Sequence, residues 1–443
     1  MLEELKNKKV LILGFEREGM DNFLFLRKLF PKKVLGIADK SEEIKKPDKN
    51  VRLYLGKNYL KAIRDYDVVL KSPGIPFKIL PRTVLGKITT QTEIFFENCP
   101  GKIVGITGTK GKSTTTSLIY KILKRGGIKA HLVGNIGKPV SNLLFSATPN
   151  DVYIYELSSH QLYNLKKSPH IAVFLNIYQE HLDYYRNFNE YVRAKANITR
   201  YQNENDYLVY NSQDKIVREI AKKSKAKKIP IPANYEFLIH PVRKSSISNG
   251  AGIRIPLVGK FNLKNIMAAV AVGKIFGLPS LKIAKTIENF KPLPHRLEYI
   301  GTYKGIKFYN DSLSTIPETT IAALDGLGNN VETIFLGGFD RGISFKNLAK
   351  RILKSKIKNL ILFPTTGEGI WREIVSLKRK NKFRAFLVQN MKDAVKLAYQ
   401  YTRKGKICLL SCASTSFSIF RNYKEKGNLF KKQVFAQRKR RWK

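Results

Sequence analysis

The sequence predicts a mixed α/β protein with three domains: a Rossmann-like N-terminal domain, a central P-loop ATPase-type α/β domain and a C-terminal Rossmann-like α/β domain. Three observations support this prediction. The chain has 443 residues, 43% of them hydrophobic, which is enough for several cores. Short apolar runs alternate with helix-like stretches, as in parallel sheets. Linker-like segments at 98–101 (NCPG) and 291–296 (KPLPHR) divide the chain into residues 1–98, 99–296 and 297–443.

The first domain opens with a strand, a glycine turn and a helix. The strand is predicted at 9–13 and ends at Gly14, and the helix is predicted at 20–29. A second strand at 33–38 ends at Asp39. This is the Rossmann order of strand, turn, helix, strand and acid.

The glycine turn departs from the dinucleotide-binding fingerprint. Glu16 replaces the middle glycine, so that fingerprint is weak. The acidic side chains of Glu16 and Glu18 would repel a pyrophosphate that approached closely. A further strand at 66–70 leads into a tight turn at 72–74.

The central domain is organised around the segment 105–116, GITGTKGKSTTT. It follows a short strand at 102–104 and precedes a helix-like run at 117–124. Glycines let backbone N–H groups converge on an anion, and the helix N-terminus adds partial positive charge. Lys112 would reach the outer phosphates of a nucleotide, and the Ser113 hydroxyl would face Mg²⁺.

This loop is a variant, because Ile106 stands where the standard P-loop pattern has its first glycine. The alternative interpretation is a glycine-rich turn capped by serine and threonine. Strand, turn, Lys-Ser pair and helix all occur in order, so the sequence predicts an ATP site. Its residues are Gly105, Thr107, Gly108, Thr109, Lys110, Gly111, Lys112, Ser113 and Thr114.

Two side chains follow strands of the same domain. Glu156 comes directly after a strand at 151–155, and a carboxylate there is the expected Mg²⁺ ligand beside a P-loop. His181 lies just past a strand at 171–176. The context favours a ligand, and the alternative is a packed or surface histidine.

Composition restricts the function classes. The chain has 81 Lys and Arg against 34 Asp and Glu, a formal charge of +47. Nucleic-acid binding would explain this charge. However, the basic residues are spread along the chain, and only the C-terminal QRKRRWK is a dense cluster. We expect a solvated, lysine-rich surface without a specific nucleic-acid partner.

The cysteines, the N-terminus and the apolar runs of the sequence predict the cellular location. The three cysteines, Cys99, Cys408 and Cys412, have the spacing of neither a zinc site nor a disulfide framework. The N-terminal MLEELKNKK is unlike a signal peptide, and no apolar run reaches the roughly 20 residues of a membrane span. We expect a cytoplasmic protein without membrane insertion.

A series of motifs resembles the Mur ligases, the family that builds peptidoglycan precursors. The matches run in the family's order from about residue 10 to about residue 430. They are G-I-T-G-T-x-G-K-S-T at 105–114, E-L-S-S at 156–159, H-L-D at 181–183, A-K-A at 194–196, N-x-x-N at 262–265, P-H-R at 294–296, D-S at 311–312 and G-G at 337–338. The series is specific as a whole, although single motifs are weak.

The resemblance implies that the first domain holds the UDP part of the substrate. Asp39 would meet the uracil, and Ser72, Asn135 and Ser158 would be further substrate contacts. The alternative for Asp39 is a turn residue at a strand end.

The resemblance also implies two Mg²⁺ ions, held by Ser113, Glu156, His181 and Lys195. Lys195 would be carbamylated by CO₂, which turns a cation into an anion. The resemblance implies that the catalytic groups are Lys112, Glu156, His181 and Lys195. The alternative for Lys195 is a solvent-facing lysine on a helix at 191–200.

The remaining implied ATP contacts lie later in the chain. Asn262 and Asn265 would face the adenine, Arg296 would contact the γ-phosphate, and Asp311 would lie at the nucleotide site. The two asparagines could instead be helix caps. Phe261 stands where the family has histidine, which leaves a detail of the adenine contact open.

The last domain would bind the incoming amino acid. The implied residues are Thr315, Arg341, Ser416 and Tyr423. Tyr423 could instead be a core aromatic. This segment departs from the family at three positions: Leu313 replaces lysine, Ile316 replaces asparagine and Arg341 replaces lysine.

The closest branch of the family adds D-glutamate to UDP-N-acetylmuramoyl-L-alanine through an acyl phosphate, with ATP and Mg²⁺, and we expect this reaction from a monomer. The D-S-x-x-T-x-P form at 311–317 favours L-glutamate as an alternative amino acid. A basic P-loop ATPase acting on nucleic acid is a more distant alternative. A third is a degenerate ligase that binds the nucleotide sugar without forming product.

Overall fold

The structure is a computed structural model that describes residues 2–181, 184–231, 260–377 and 383–438, without the side chains of 260 and 261. It divides into two compact units, described separately below. The first contains Met1–Arg254 and Lys264–Asn289, and the second contains Ile255–Leu263 and Phe290–Lys443. Leu182, Asp183, the segment 257–259 and the C-terminal basic residues 439–443 lie outside the described residues. The division into three domains remains a prediction.

The strands form three sheets, in agreement with the predicted α/β class. The strands are β1 (Val10–Leu13), β2 (Leu35–Asp39), β3 (Val51–Leu55), β4 (Val68–Lys71), β5 (Ile88–Thr89), β6 (Lys102–Thr107), β7 (Ala130–Gly134), β8 (Val152–Glu156), β9 (Ile171–Phe174), β10 (Tyr207–Asn211), β11 (Lys227–Ile231), β12 (Glu298–Tyr303), β13 (Ile306–Asn310), β14 (Val331–Gly337), β15 (Asn359–Phe363), β16 (Arg384–Leu387) and β17 (Ile407–Leu410).

The first unit contains two parallel sheets. The N-terminal sheet has the order β3-β2-β1-β4-β5, and the central sheet has the order β11-β10-β9-β6-β8-β7. Strands β1 and β8 are buried along their whole length, because both of their faces are covered. In the central sheet the carboxyl ends of β9, β6, β8 and β7 lie side by side, at the edge where α/β proteins bind ligands.

The second unit contains the third sheet, of order β12-β13-β17-β14-β15-β16. Its pairs are parallel except for the antiparallel pair β12–β13, which forms a hairpin. Strands β14 and β17 are fully buried, with apolar clusters on both faces of the sheet.

Helices cover the sheets. The α-helices of the described part of the chain are Arg17–Leu29, Gln91–Asn98, Lys112–Arg125, Ser159–Leu162, Phe188–Arg200, Lys215–Lys222, Lys260–Ile275, Ser280–Glu288, Pro317–Leu327, Lys346–Leu353, Thr366–Ser376, Met391–Tyr401 and Tyr423–Gln437. None of them combines the length and the hydrophobicity that a membrane crossing requires.

The helix after the glycine-rich loop begins earlier than predicted. It starts at Lys112 rather than at Ser117, because Gly111 adopts φ +88° and turns the chain directly into the first helical residue. Thr115 and Thr116 are fully buried although they are polar. The apolar pattern of the sequence therefore did not mark this first part of the helix.

Candidate active site

The loop between β6 and the helix Lys112–Arg125 is fastened to the end of β9. The backbone N–H of Thr109 donates to the carbonyl of Asn176 at 2.8 Å. The Asn176 side chain brackets Lys110: its Oδ1 accepts from the Lys110 N–H at 2.8 Å, and its Nδ2 donates to the Lys110 carbonyl at 2.9 Å. The Thr109 hydroxyl lies 2.7 Å from the hydroxyl of Tyr191. The loop is therefore held open in one conformation by side chains, as an anion cradle requires.

Lys112 is folded back over this loop. Its ammonium donates to the carbonyl oxygens of Gly108 at 2.8 Å and Thr109 at 3.0 Å. Gly108 has φ +151°, a conformation that a side chain would oppose. Ser113 and Thr114 lie in the first turn of the helix and are more than nine-tenths buried. The N-terminus of the helix and the Lys112 charge thus lie together at the end of the loop, where both favour an anion.

We expect Gly111→Ala to weaken ATP binding by at least about tenfold and to lower the free energy of unfolding by about 1–3 kcal/mol. A Cβ on Gly111 would collide with Oδ1 of Asn265, in addition to straining φ +88°. Titration calorimetry with ATP and thermal unfolding measure the two effects.

Gly127→Ala is the matched control. Gly127 has φ +90° but open space where its Cβ would lie, so this variant carries the backbone strain without the collision. Equal ATP affinities in the two variants would contradict the role assigned to Gly111.

Lys195 lies directly under the loop. Its side chain is 1% exposed, and its ammonium donates to the Gly108 carbonyl at 3.0 Å and to the Thr107 hydroxyl at 3.4 Å. The alternative of a solvent-facing lysine is wrong. Burial, and next the nearby charge of Lys112, hold the pKa of Lys195 well below its ordinary value.

Glu156 is the last residue of β8, beside the loop in the sheet. It is 4% exposed, and its Oε2 is buried without a hydrogen-bond partner among the described residues. A buried carboxylate oxygen that lacks a partner fits a cation, and Mg²⁺ prefers such oxygen ligands. Within the described ranges no three His, Cys, Asp or Glu side chains converge as a metal cluster. A Mg²⁺ site that uses one carboxylate, a hydroxyl and phosphate oxygens does not require such a cluster.

His181 follows β9 and has φ +61°, which directs the chain sharply after the strand. Burial, and further the lysines around the loop, lower the pKa of His181 from its ordinary value. The neighbouring Glu180 pairs with Lys110 at 2.7 Å. Burial opposes ionisation of Glu180, but Lys110 and His181 outweigh it and hold the pKa of this carboxyl to about 2.

A cavity of about 380 Å³ opens at the carboxyl ends of the N-terminal sheet. Asp39, Ser72 and Asn135, all predicted substrate contacts, line it. Asp39 accepts from the N–H groups of Phe15 at 2.7 Å and Ser41 at 2.8 Å, so it is also the turn residue that the alternative proposed.

Ser158 is joined to this cavity through Gln161, which lines it. Its hydroxyl caps the helix Ser159–Leu162 by accepting from the N–H of Gln161, and the Gln161 side chain lines the cavity. Its structural role is therefore a capping box, and a direct substrate contact remains a prediction.

The second unit holds the predicted nucleotide residue Asp311 and the predicted amino-acid residues after the carboxyl ends of β13, β17 and β14, which are neighbours in the sheet. Asp311 follows β13; burial raises its pKa to about 6, although Ser314, Ser411 and Leu297 donate hydrogen bonds to it. Ser416 is 3% exposed and its hydroxyl has no partner among the described residues.

Other predicted residues of the second unit are more accessible. Arg341 is exposed, and Thr315 and Tyr423 are half-buried. The Tyr423 carbonyl accepts from the Ser312 hydroxyl at 2.8 Å, which joins the D-S segment to the last helix. Arg296 lies in the turn before β12. The roles of these residues remain predictions.

Comparison with known proteins shows relatives along the whole chain. A UDP-N-acetylmuramoylalanine–D-glutamate ligase of Acetivibrio thermocellus is 32% identical and covers 98% of this chain and 97% of its own length. The ligase of the same name from Lactiplantibacillus plantarum is 34% identical, with coverage of 98% and 97%. The chain belongs to this Mur ligase family.

Two further comparisons agree with this assignment. The Mur ligase middle domain matches residues 106–273. Among solved structures, MurF from Acinetobacter baumannii has a TM-score of 0.63 at 14% identity, covering 98% of both chains. UDP-N-acetylmuramate-alanine ligase from Thermotoga maritima has a TM-score of 0.59 at 16% identity, covering 97% of this chain and all of its own. At these identities the structures support the fold alone. The full-length relatives and the middle-domain match together show that this Mur ligase is an ATP-dependent ligase of peptidoglycan precursor synthesis.

The structure of this Mur ligase brings together Gly108, Lys112, Glu156, His181 and Lys195 around one loop, through the contacts and neighbouring strands given above. Asn262 and Asn265 lie on the helix Lys260–Ile275, and both are more than nine-tenths buried. Phe261 has no described side chain, so its departure from the family remains open.

Sequence reasoning missed several residues of this Mur ligase that support the site. Asn176 and Glu180 fasten Lys110, yet neither was predicted to act. Asn176 is the last residue of the strand predicted at 171–176, and that position at a strand end was the available signal. No signal in the sequence linked Glu18, which lines the cavity, to the charge of Lys71, because the two residues lie 53 positions apart in the chain.

Proposed function

We propose that this Mur ligase adds D-glutamate to UDP-N-acetylmuramoyl-L-alanine in the cytoplasm. The observation that carries the proposal is the position of the buried Lys195, which donates to the carbonyl of Gly108 in the nucleotide loop. A carbamylated lysine at this place would hold a negative charge beside the triphosphate, where it can bind a cation. The full-length relatives named UDP-N-acetylmuramoylalanine–D-glutamate ligase support the choice of substrates.

ATP binds with its phosphates in the loop 105–114. Backbone N–H groups and the helix N-terminus hold the anion, and Lys112 neutralises charge on the outer phosphates. Asn265 lies against Gly111, and with Asn262 it serves the adenine. This preformed cradle needs no rearrangement when charge builds up in the transition state, which favours catalysis by positioning and electrostatics.

Two Mg²⁺ ions fit the donor set of this chain. Ser113 and the partnerless oxygen of Glu156 would hold one, and His181 with carbamylated Lys195 would hold the other. When bound, Mg²⁺ would supply charge neutralisation of the triphosphate and polarisation of its γ-phosphate.

The reaction has two steps. The terminal carboxylate of the nucleotide-sugar substrate attacks the γ-phosphorus of ATP, which forms an acyl phosphate and releases ADP. The amine of glutamate then attacks the acyl carbon, the tetrahedral intermediate collapses, and inorganic phosphate leaves with formation of an amide. The protein contributes orientation and charge neutralisation in both steps.

The nucleotide-sugar lies in the cavity at the first sheet, with Asp39, Ser72, Asn135 and the Ser158 segment as its contacts. Arg296 and Asp311 serve ATP. Thr315, Arg341, Ser416 and Tyr423 serve the glutamate carboxylates. We further infer three domains, residues 1–98, 99–296 and 297–443, and a monomeric enzyme.

We expect product only when ATP, UDP-N-acetylmuramoyl-L-alanine and D-glutamate are all present, with L-glutamate at least about 100-fold slower. Mass spectrometry of the product and measurement of released phosphate, with each glutamate enantiomer offered separately, check this. Lys112→Ala provides the blank. Product from L-glutamate alone would instead establish the alternative suggested by residues 311–317. Phosphate release stimulated by RNA, without product, would establish a nucleic-acid ATPase, and substrate binding without any turnover would establish a degenerate ligase.

A further inference from the structure

Glu18 presents an unusual carboxyl group to the substrate cavity. It is the second residue of the helix Arg17–Leu29, whose first turn faces the cavity, and it lines the cavity directly. Part of the side chain is exposed, but Oε1 is buried and has no hydrogen-bond partner among the described residues. A buried oxygen without a partner disfavours the ionised form, and the exposed part of the Glu18 side chain is what a ligand in the cavity would meet.

The groups that face Glu18 come from four elements. Lys71, at the end of β4, is fully buried, and its ammonium already donates to the carbonyls of Ser72 at 3.0 Å and Ile75 at 2.7 Å. Gln161, from the helix Ser159–Leu162, hydrogen-bonds the Glu18 side chain.

The other facing groups are ionisable. Arg17 and Asp21 lie on the same helix as Glu18, and the Tyr155 hydroxyl belongs to β8. Burial affects the Glu18 carboxyl more than the neighbouring charges of Lys71, Asp21 and Arg17 do. It raises the pKa of Glu18 to about 7, and it lowers the pKa of Lys71 to about 7 as well. Much of the protein at neutral pH therefore carries Glu18 as a neutral acid, which has an O–H to donate.

The ligand chemistry at this point is anionic. The N-terminal end of a 13-residue helix faces the cavity, and Arg17 and Lys40 line it. An ionised Glu18 would repel a pyrophosphate here, as the sequence suggested, whereas a neutral acid would hydrogen-bond it. The cavity also contains Asp39 and Asn135, so a nucleotide-sugar that spans them would pass its diphosphate along this wall.

We propose that Glu18 binds the diphosphate of the nucleotide-sugar as a neutral carboxylic acid, so that substrate binding takes up one proton. Glu18 donates its O–H to a non-bridging phosphate oxygen and returns the proton to solvent when the ligand leaves. The proposal rests on the proposed function, because it takes UDP-N-acetylmuramoyl-L-alanine as the ligand. The consequence is an affinity that falls as pH rises, although the diphosphate diester itself does not titrate near neutrality.

The test is calorimetric binding of UDP-N-acetylmuramoyl-L-alanine to the full chain without ATP. Only the fraction with protonated Glu18 binds well, so the apparent dissociation constant rises as that fraction falls. For a group that titrates near 7, we expect roughly 30-fold weaker binding at about pH 8.5 than at about pH 6. Repeating the titration at the higher pH in two buffers of different ionisation enthalpy should show uptake of nearly one proton.

The variant Glu18→Gln tests whether Glu18 or Lys71 causes the pH dependence. The amide donates at every pH, so this variant should bind tightly at both pH values, within about twofold, and take up no proton. If the charge of Lys71 caused the dependence instead, Glu18→Gln would still bind more weakly at the higher pH, because Lys71 would still lose its proton there. Glu16→Gln removes an exposed carboxylate from the same cavity and should keep the wild-type pH dependence.

The outcomes are distinct for the two proposals. Three outcomes would overturn the role of Glu18 and leave the ligase assignment intact: wild-type affinity that is constant with pH, weak binding by Glu18→Gln at both pH values, or a pH dependence that Glu18→Gln retains. Absence of substrate binding by wild type at every pH would overturn the proposed function together with this inference.

Discussion

Replacing Lys112 with alanine should lower the rate of ligation by at least about 10³-fold and leave the affinity for UDP-N-acetylmuramoyl-L-alanine within about twofold. The Lys112 ammonium lies over the carbonyls of Gly108 and Thr109, within the cradle assigned to the triphosphate. Removing it leaves the developing charge on the transferred phosphoryl group without its fixed protein cation. The UDP cavity is lined by other residues, so the first substrate should still bind.

Steady-state phosphate release and calorimetric titration measure the two quantities. Lys124→Ala is the matched control, because Lys124 lies near the end of the same helix, is exposed, and donates only to the Tyr120 hydroxyl among its described hydrogen bonds. It should keep wild-type turnover. Substantial ligase activity in Lys112→Ala would remove the phosphate assignment, whereas loss of UDP-substrate binding would mean that the loop also shapes the cavity.

Local patterns predicted the framework of this site well. A strand, a glycine-rich turn and a helix are adjacent in the chain, so the position of Lys112 follows from the sequence of a single segment. The strands that precede Glu156 and His181 were also predicted from short apolar runs. These two residues were therefore placed near strand ends of the same domain. The resemblance then placed these segments within one family, and the full-length relatives confirm that family.

The position of Lys195 and the pKa of Glu18 depend on segments that are distant in sequence, so local patterns could not predict them. Nothing in A-K-A-N-I reveals that Lys195 lies under Gly108, because 87 positions separate the two residues. From the sequence, Glu18 was treated as an ionised side chain that would repel phosphate. Its pKa, however, depends first on burial and next on the charge of Lys71, which lies on a strand distant in sequence. Burial of titratable groups is a tertiary property, and the sequence contains it only through the completed fold.

Replacing Lys195 with alanine should lower turnover by at least about 10²-fold, and a short carboxylic acid such as acetate should restore part of it, whereas bicarbonate should not. Carbamylation joins the neutral amine of lysine to CO₂, forms an N–C bond and releases one proton. The depressed pKa of Lys195 supplies that neutral amine, and its position beneath the loop places the new anion near Glu156 and the nucleotide. A free carboxylate can occupy the space that the alanine variant leaves.

Wild-type enzyme provides a second, independent measurement. Activity should fall in buffer freed of CO₂ and return with bicarbonate, and ¹³C-bicarbonate should give a carbamate signal by NMR that Lys195→Ala lacks. Arg193→Ala, exposed on the same helix, is the control and should behave as wild type. Retained binding of the UDP substrate by Lys195→Ala would show that the variant is folded. Full activity in that folded variant would refute the carbamate, since the buried amine would then serve only to hold the carbonyl of Gly108 and the hydroxyl of Thr107.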